Sequence, residues 1–387
     1  MLALVAAAVA AIVLCPACAG GHTVRLAPNH PGAPFDFERP PCAPAARPSP
    51  PAGPEEVELR FLGAAGLYLR WGDDSILLGP YFSNPGIATA GFGSWRADRA
   101  AIARGLAGVP VAAVEAILAG HAHYDHIGDL PVILEMAPEA RVYVNRSGAH
   151  ALAPYAGART TALEDRAGRW VWIARGGGRR PIRFLAVPSE HAPQFDHHLW
   201  AAGSVESDWR EPWTAHRFHQ LRAGQTFALV IDLMSSDGKE VRYRLYYQDS
   251  ASSRGVGEPP AFAGADAHAY DLAVLCIASY DMVKRGKQPE AILQALAPRH
   301  VLVTHYDDFF RRQDLPVRFV ALLTDEKVDR YLRAIDGSLA TVPAAPPVDP
   351  VCGPSGPHWT MPLPGEWMRF RPAGKPSGAT SRPVRSD

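Results

Sequence analysis

Apolar and polar positions divide the chain into four parts. Residues 1–14 are wholly apolar, and residues 27–54 are rich in proline with little periodicity. From residue 57 to about 342, short apolar runs alternate with stretches of helical spacing; beyond 343 the prolines return. In the third part, residues 57–62, 67–71 and 75–78 are strand-like, with Gly72-Asp73-Asp74 as a turn. Residues 95–106 have helical apolar spacing. Residues 113–119 form an apolar run of strand length that Gly120 breaks. Residues 130–136 read as helix, 141–144 as strand and 147–153 as a short helix. Strands at 170–173 and 182–187 flank Gly176-Gly177-Gly178. Residues 226–232 and 241–247 pair as a hairpin around Ser236-Asp237-Gly238. A buried strand at 272–278, a helix at 289–296, a strand at 300–304 and a helix at 325–335 complete the series. Strands with helices between them, in comparable halves near 55–185 and 224–340, predict an α/β domain built as a four-layer αββα sandwich.

The chemistry concentrates after the apolar run at 113–119. His121, His123, Asp125 and His126 follow within six residues, before Gly128-Asp129-Leu130-Pro131 opens a helix. Four metal-ligating side chains thus sit on a loop leaving the C-terminal end of a core strand, where open α/β sheets place their sites. A lone loop histidine is an ordinary surface residue. Three histidines and an aspartate at such spacing are not expected from a chain with 15 histidines in 387 residues.

His121-Ala122-His123-Tyr124-Asp125-His126 resembles the H-x-H-x-D-H signature of the metallo-β-lactamase-fold hydrolases. The resemblance spans residues 57–335 and implies further ligands at three later strand ends. His191 follows the run 182–187, Asp249 follows 243–247, and His305 follows 301–303. It implies that His121, His123 and His191 hold one metal and that Asp125, His126 and His305 hold a second. Asp249 would bridge the two, with Asp125 and Asp249 counted as catalytic. Two zinc ions per chain are the implied cofactor, since His nitrogen and carboxylate oxygen suit Zn²⁺. The di-iron members of the family carry Glu where His123 stands. One departure is Gly79, at a position where the family usually has an aspartate that steadies the metal loop; Asp73 and Asp74 are the nearest carboxylates in sequence. The context His305 to Phe310 is similar to the branch containing N-acyl-phosphatidylethanolamine phospholipase D and ascorbate-phosphate lactonases. That similarity implies hydrolysis of an ester-type bond in a phosphodiester, phospholipid or lactone. The rival readings are a non-catalytic metal-binding protein of the same fold and a β-lactamase-like amide hydrolase.

Residues 192–224 are polar, aromatic and rich in histidine, with His197, His198, His216 and His219 beside Trp200, Trp209 and Trp213. They read either as a surface loop with incidental histidines or as a lid in which His197 or His198 touches substrate. Composition narrows the partners. Acidic and basic residues balance at 39 each, which argues against a nucleic-acid partner and leaves a small-molecule or lipid substrate. All but five basic residues are arginine, a bias attributable to genome composition, so individual arginines carry no functional weight. The apolar start, without a charge until Arg25, suits a signal peptide over residues 1–19, with Ala17-Cys18-Ala19 as its cleavage site. Cys18 is alternatively the lipidated first residue of a lipoprotein, and a retained membrane anchor is the third option. Each option predicts export to a bacterial periplasm or cell envelope. The domain plan is then a signal peptide or anchor at 1–19, a Pro-rich strap at 20–56, the hydrolase domain at 57–342 and a Pro-rich tail at 343–387. Of five cysteines, Cys15 and Cys18 lie in the export segment and Cys276 in an apolar strand. That leaves Cys42 and Cys352 to pair in an oxidising compartment. Nothing in the sequence bears on oligomeric state.

Overall fold

A computed structural model of the chain describes residues 55–175, 178–194, 198–349 and 351–372. Seven strands form each of two mixed sheets. The first runs β14-β1-β2-β3-β4-β5-β6 and the second β13-β12-β11-β10-β9-β8-β7. The first sheet comprises β1 (Val57–Gly63), β2 (Gly66–Trp71), β3 (Asp74–Leu78), β4 (Ala116–Leu118), β5 (Arg141–Val144), β6 (Thr160–Ala162) and β14 (Trp367–Phe370). The second comprises β7 (Trp170–Arg175), β8 (Gly178–Ser189), β9 (Thr226–Met234), β10 (Val241–Gln248), β11 (Leu272–Cys276), β12 (His300–Thr304) and β13 (Trp359–Thr360). Strands β1 to β3 pair antiparallel and β3 to β6 parallel; in the other sheet β10, β11 and β12 run parallel.

The inner faces interlock in one apolar cluster containing Leu59, Leu69, Ile76 and Leu118 from the first sheet and Phe184, Leu229, Ile231 and Leu245 from the second. Helices cover the outsides. The helices are α1 (Ile87–Phe92), α2 (Arg99–Gly105), α3 (Tyr124–Ile127), α4 (Leu130–Met136), α5 (Arg146–Ala156), α6 (Glu290–Leu296) and α7 (Asp325–Leu339). Ile133 of α4 and Leu152 of α5 pack with Leu77, Ile117 and Val142, the outward residues of the first sheet. Leu293 of α6 and Val328, Leu332 and Ile335 of α7 pack on the second. The order is helix, sheet, sheet, helix: the four-layer αββα sandwich that the strand pattern predicts. Thr324 caps α7 through Lys327 N, and its buried residues recur every three or four positions, as an amphipathic helix requires.

Several elements depart from the sequence expectation. The helix expected at 95–106 starts only at Arg99, because Asp98 caps it by accepting from the Ala100 and Ala101 amides. The run 113–119 is paired as strand only over Ala116–Leu118. Residues 343–372, expected from their prolines to be tail, supply two edge strands: β14 pairs antiparallel with β1, and β13 pairs parallel with β12. Cys276 is buried and free, as expected of a strand residue, and Cys352 is disulfide-bonded. Cys42, residues 1–19 and most of the segment expected to be a strap lie outside the described residues. No helix among the described residues is long and apolar enough to cross a membrane.

Candidate metal centre

The sandwich brings four strand ends to one rim. β4 of the first sheet and β8, β10 and β12 of the second all finish there. Just beyond them lie His121, His191, Asp249 and His305. The motif loop reaches both sides of the site by changing conformation midway. His121 precedes His123, which is extended (φ −68°, ψ 156°), and the one-turn helix α3 then carries Asp125 and His126. Backbone bonds fix the loop from two directions. Ala122 N donates to Ala223 O at 3.0 Å, and Phe227 N of β9 donates to Gly120 O at 2.8 Å.

All seven candidate ligands meet at this rim. His121, His123 and His191 form one group, and Asp125, His126 and His305 form another. His121, His126 and Asp249 form a third, with the ligand atoms of each group within 4.8 Å of one another. In the first group His121 Nε2 lies 3.2 Å from His123 Nδ1. In the second, His126 Nε2 lies 3.4 Å from His305 Nε2, and Asp125 Oδ2 lies 3.2 Å from His305 Nε2 and 3.5 Å from His126 Nε2. Tetrahedral bonds of about 2.0–2.1 Å place two nitrogen donors ~3.3–3.4 Å apart. The observed spacings match a shell of metal donors, so the residues present fit zinc.

Four of the five histidines have protonation states that agree with that fit. Burial holds His121 and His191 well below the ordinary imidazole value, and it brings His123 and His126 down to about 3. Neutral imidazole is the ligating form. Burial opposes ionisation of Asp125, but His126 and the hydrogen bond with His305 outweigh it and hold the carboxyl well below its usual value. His305 is raised: burial works against its charge, and its bond to Asp125 prevails. Burial pushes Asp249 up.

Sequence reading missed the buttress behind these groups. The β1–β2 turn presses against the β12 end: His305 N donates to Ala64 O at 2.7 Å, and Ala64 N donates to Asp307 Oδ2 at 3.0 Å. His305 is held at φ +59°, a left-handed conformation that costs a non-glycine residue on the order of 1–2 kcal/mol. Tyr247 Oη donates to Ala65 O in the same turn at 3.0 Å. Asp129 was expected only to open a helix. Its side chain makes no cap bond and instead accepts from Phe82 N, Ser83 N and Ser83 Oγ, tying the loop after β3 to the motif. Asp73 and Asp74 lie at the opposite end of β3 from Gly79, so neither reaches the site.

Residues 192–224 are more deeply built in than a surface loop. Trp213, Phe218 and Leu221 are buried in the outer cluster of the first sheet. Trp213 Nε1 donates to Ala151 O, and Asn145 Nδ2 donates to Ala223 O. Trp200 stands beside the centre, its ring 6.1 Å from His123 and 5.6 Å from Tyr124; Phe309 lies 5.0 Å from His305. Tyr124 also meets Phe218, Phe309 and Phe310, so one flank of the centre is aromatic. His216 stacks on Trp209 at 3.7 Å and joins no ligand group. His198 is exposed, its carbonyl accepting from Gln194 N; His197 lies outside the described residues.

Comparisons with known proteins add the following. No protein-family profile matches the chain, and no curated protein is similar enough to count as a relative. Among solved structures, Igni18, a metallo hydrolase from the hyperthermophilic archaeon Ignicoccus hospitalis, matches at 16% identity and a TM-score of 0.45, over 82% of this chain and 99% of that one. YhfI from Bacillus subtilis, a metallo-β-lactamase fold protein, matches at 13% and 0.39, over 65% and 86%. CmlA, a diiron β-hydroxylase from Streptomyces venezuelae, matches at 12% and 0.44, over 83% of this chain and 55% of that one. Similarity at this level assigns neither substrate nor metal. By its two mixed sheets and flanking helices, the chain is a four-layer αββα sandwich, with His and Asp clusters at one rim that are suited to metal.

Proposed function

We propose that the protein is a zinc-dependent hydrolase with two adjacent metal positions, acting on an ester-type bond in a phosphodiester, phospholipid or lactone. The observation that carries this reading is the convergence of imidazole nitrogens and the Asp125 carboxylate at donor spacing on one rim. His121, His123 and His191 would hold one ion, and Asp125, His126 and His305 the other. Bound zinc would supply Lewis acidity towards a carbonyl or phosphoryl oxygen and activate water at neutral pH. The chain supplies the rest. Asp125 offsets cationic charge while its Oδ2 stays against His305. Trp200, Tyr124 and Phe309 exclude water from one flank and offer an apolar surface. That aromatic flank favours a substrate with an acyl or aryl arm over a small sugar lactone. Exported location and membrane attachment through the N-terminus belong to the same proposal.

The test is turnover of bis-p-nitrophenyl phosphate, a long-chain phosphodiester and a lactone panel by zinc-loaded and chelated protein. Metal-dependent hydrolysis of at least one class is expected, with the long-chain ester preferred. Metal uptake without turnover of any class would instead support a non-catalytic metal-binding protein.

A further inference from the structure

Asp249 differs from the other six candidate ligands in where its oxygens go. Oδ2 accepts from Gly120 N at 2.7 Å, and Oδ1 lies 3.0 Å from His121 Nδ1. Its approach to His126 is also on the Nδ1 edge, Oδ2 at 3.8 Å. The opposite nitrogens of the same two rings face the other ligands: His121 Nε2 faces His123, and His126 Nε2 faces His305 and Asp125. A carboxylate bridging two ions ~3.5–4 Å apart offers one oxygen to each. Here one oxygen is engaged by a backbone amide and the other by a ring nitrogen on the far edge from the neighbouring donors. The groups His121–His123–His191 and Asp125–His126–His305 are each complete without Asp249.

We infer that Asp249 is a positioning carboxylate and not a bridging ligand: it receives the Nδ1–H of His121 and the Gly120 amide, which would leave the His121 Nε2 lone pair free to hold a metal. Ligating histidines commonly present their second nitrogen to such a carboxylate, which sets tautomer and ring orientation. The strand it comes from has a steric reason. β3 cannot deliver a carboxylate, because Gly79 sits at φ +45° and a Cβ there would lie 2.8 Å from Tyr247 Oη and 3.4 Å from His126 Nδ1. Tyr247 of β10 therefore fills the space beside His126, and the next residue but one on the same chain segment supplies the carboxylate behind His121. The bridging role implied by sequence resemblance is replaced by this one.

The inference rests on the metal reading of the site, and the test separates the two. Cobalt(II) titration of wild type, Asp249→Asn and Asp249→Ala reads stoichiometry, affinity and ligand-field spectrum without turnover. A positioning role predicts the same number of ions in the variants, affinity lowered about 10–100-fold, and band positions and intensities like wild type, since no donor is lost. Loss of one ion, or bands moved to another coordination number, would overturn it. If the variants fail to fold, ¹⁵N-histidine NMR of the zinc-loaded wild type decides. His121 should show a protonated Nδ1 and a metal-bound Nε2; a metal-bound Nδ1 sinks the inference. A wild-type chain that takes up neither cobalt nor zinc would overturn the metal reading itself, and this inference with it.

Discussion

Gly120 carries a tight steric constraint at the start of the motif loop. A methyl group there would lie 2.5 and 2.7 Å from the two Asp249 oxygens and would collide with the Phe227 carbonyl, neither of which is a flexible chain end. Gly120→Ala should therefore displace Asp249 and loosen the β9 contact, costing about 1–3 kcal/mol of stability, the usual range for overpacking. Denaturant midpoints and zinc affinity should fall together; a variant with wild-type values of both would show that the loop relaxes freely. The seven side chains that meet at the rim were legible in sequence because six consecutive residues hold four of them, and the other three each follow an apolar run. The supports were not. Ala64 and Asp307 are 243 positions apart, and Tyr247 and Ala65 are 182 apart, so only the closed sandwich brings them together. Gly79 was visible as a departure, but the tyrosine occupying its space was not.

Among the elements, the long segment between β8 and β9 behaves as a strap more than as a flap. Trp213, Phe218 and Leu221 anchor it, while Trp200 is only partly buried and touches the motif. Excising the whole segment would uncover α5 and confuse folding with specificity. Trp200→Ala is the cleaner change. With the substrate class proposed above, it should raise KM for a long-chain ester roughly three- to tenfold, corresponding to an aromatic contact of about 0.5–1.5 kcal/mol, and leave metal content unchanged. Loss of a metal ion in that variant would instead make Trp200 a support of His123. Periodicity could not have revealed this packing, because the anchors are single aromatic residues in a polar stretch. It also missed β13 and β14, whose two and four residues are too short to show alternation.

For the whole molecule, acid is a predictable weakness apart from the metal centre. Burial, reinforced by His358, brings His300 down to about 3 in the folded state, where its Nε2 lies 2.9 Å from Thr360 Oγ1. Unfolded, an imidazole titrates near 6.5, so between the two values the unfolded chain binds the extra proton. Stability is then full above about 6.5 and falls as the pH drops, by at most ~1.4 kcal/mol per pH unit for this group. His300→Gln should flatten that slope between pH 6.5 and 4, read from denaturant midpoints. Parallel profiles for variant and wild type would show that His300 does not set it.

The two short C-terminal strands have a consequence for synthesis. β14 closes the edge of one sheet and β13 the edge of the other, and both leave the ribosome after every other strand of their sheets. Until then β1, whose seven residues are all buried in the finished fold, lacks its outer neighbour. A chain ending at residue 342 would present two unpaired strand edges to other copies, a template for aggregation. The segment 343–372 thus acts as an intramolecular guard, and premature termination should yield insoluble protein, not merely a shorter chain.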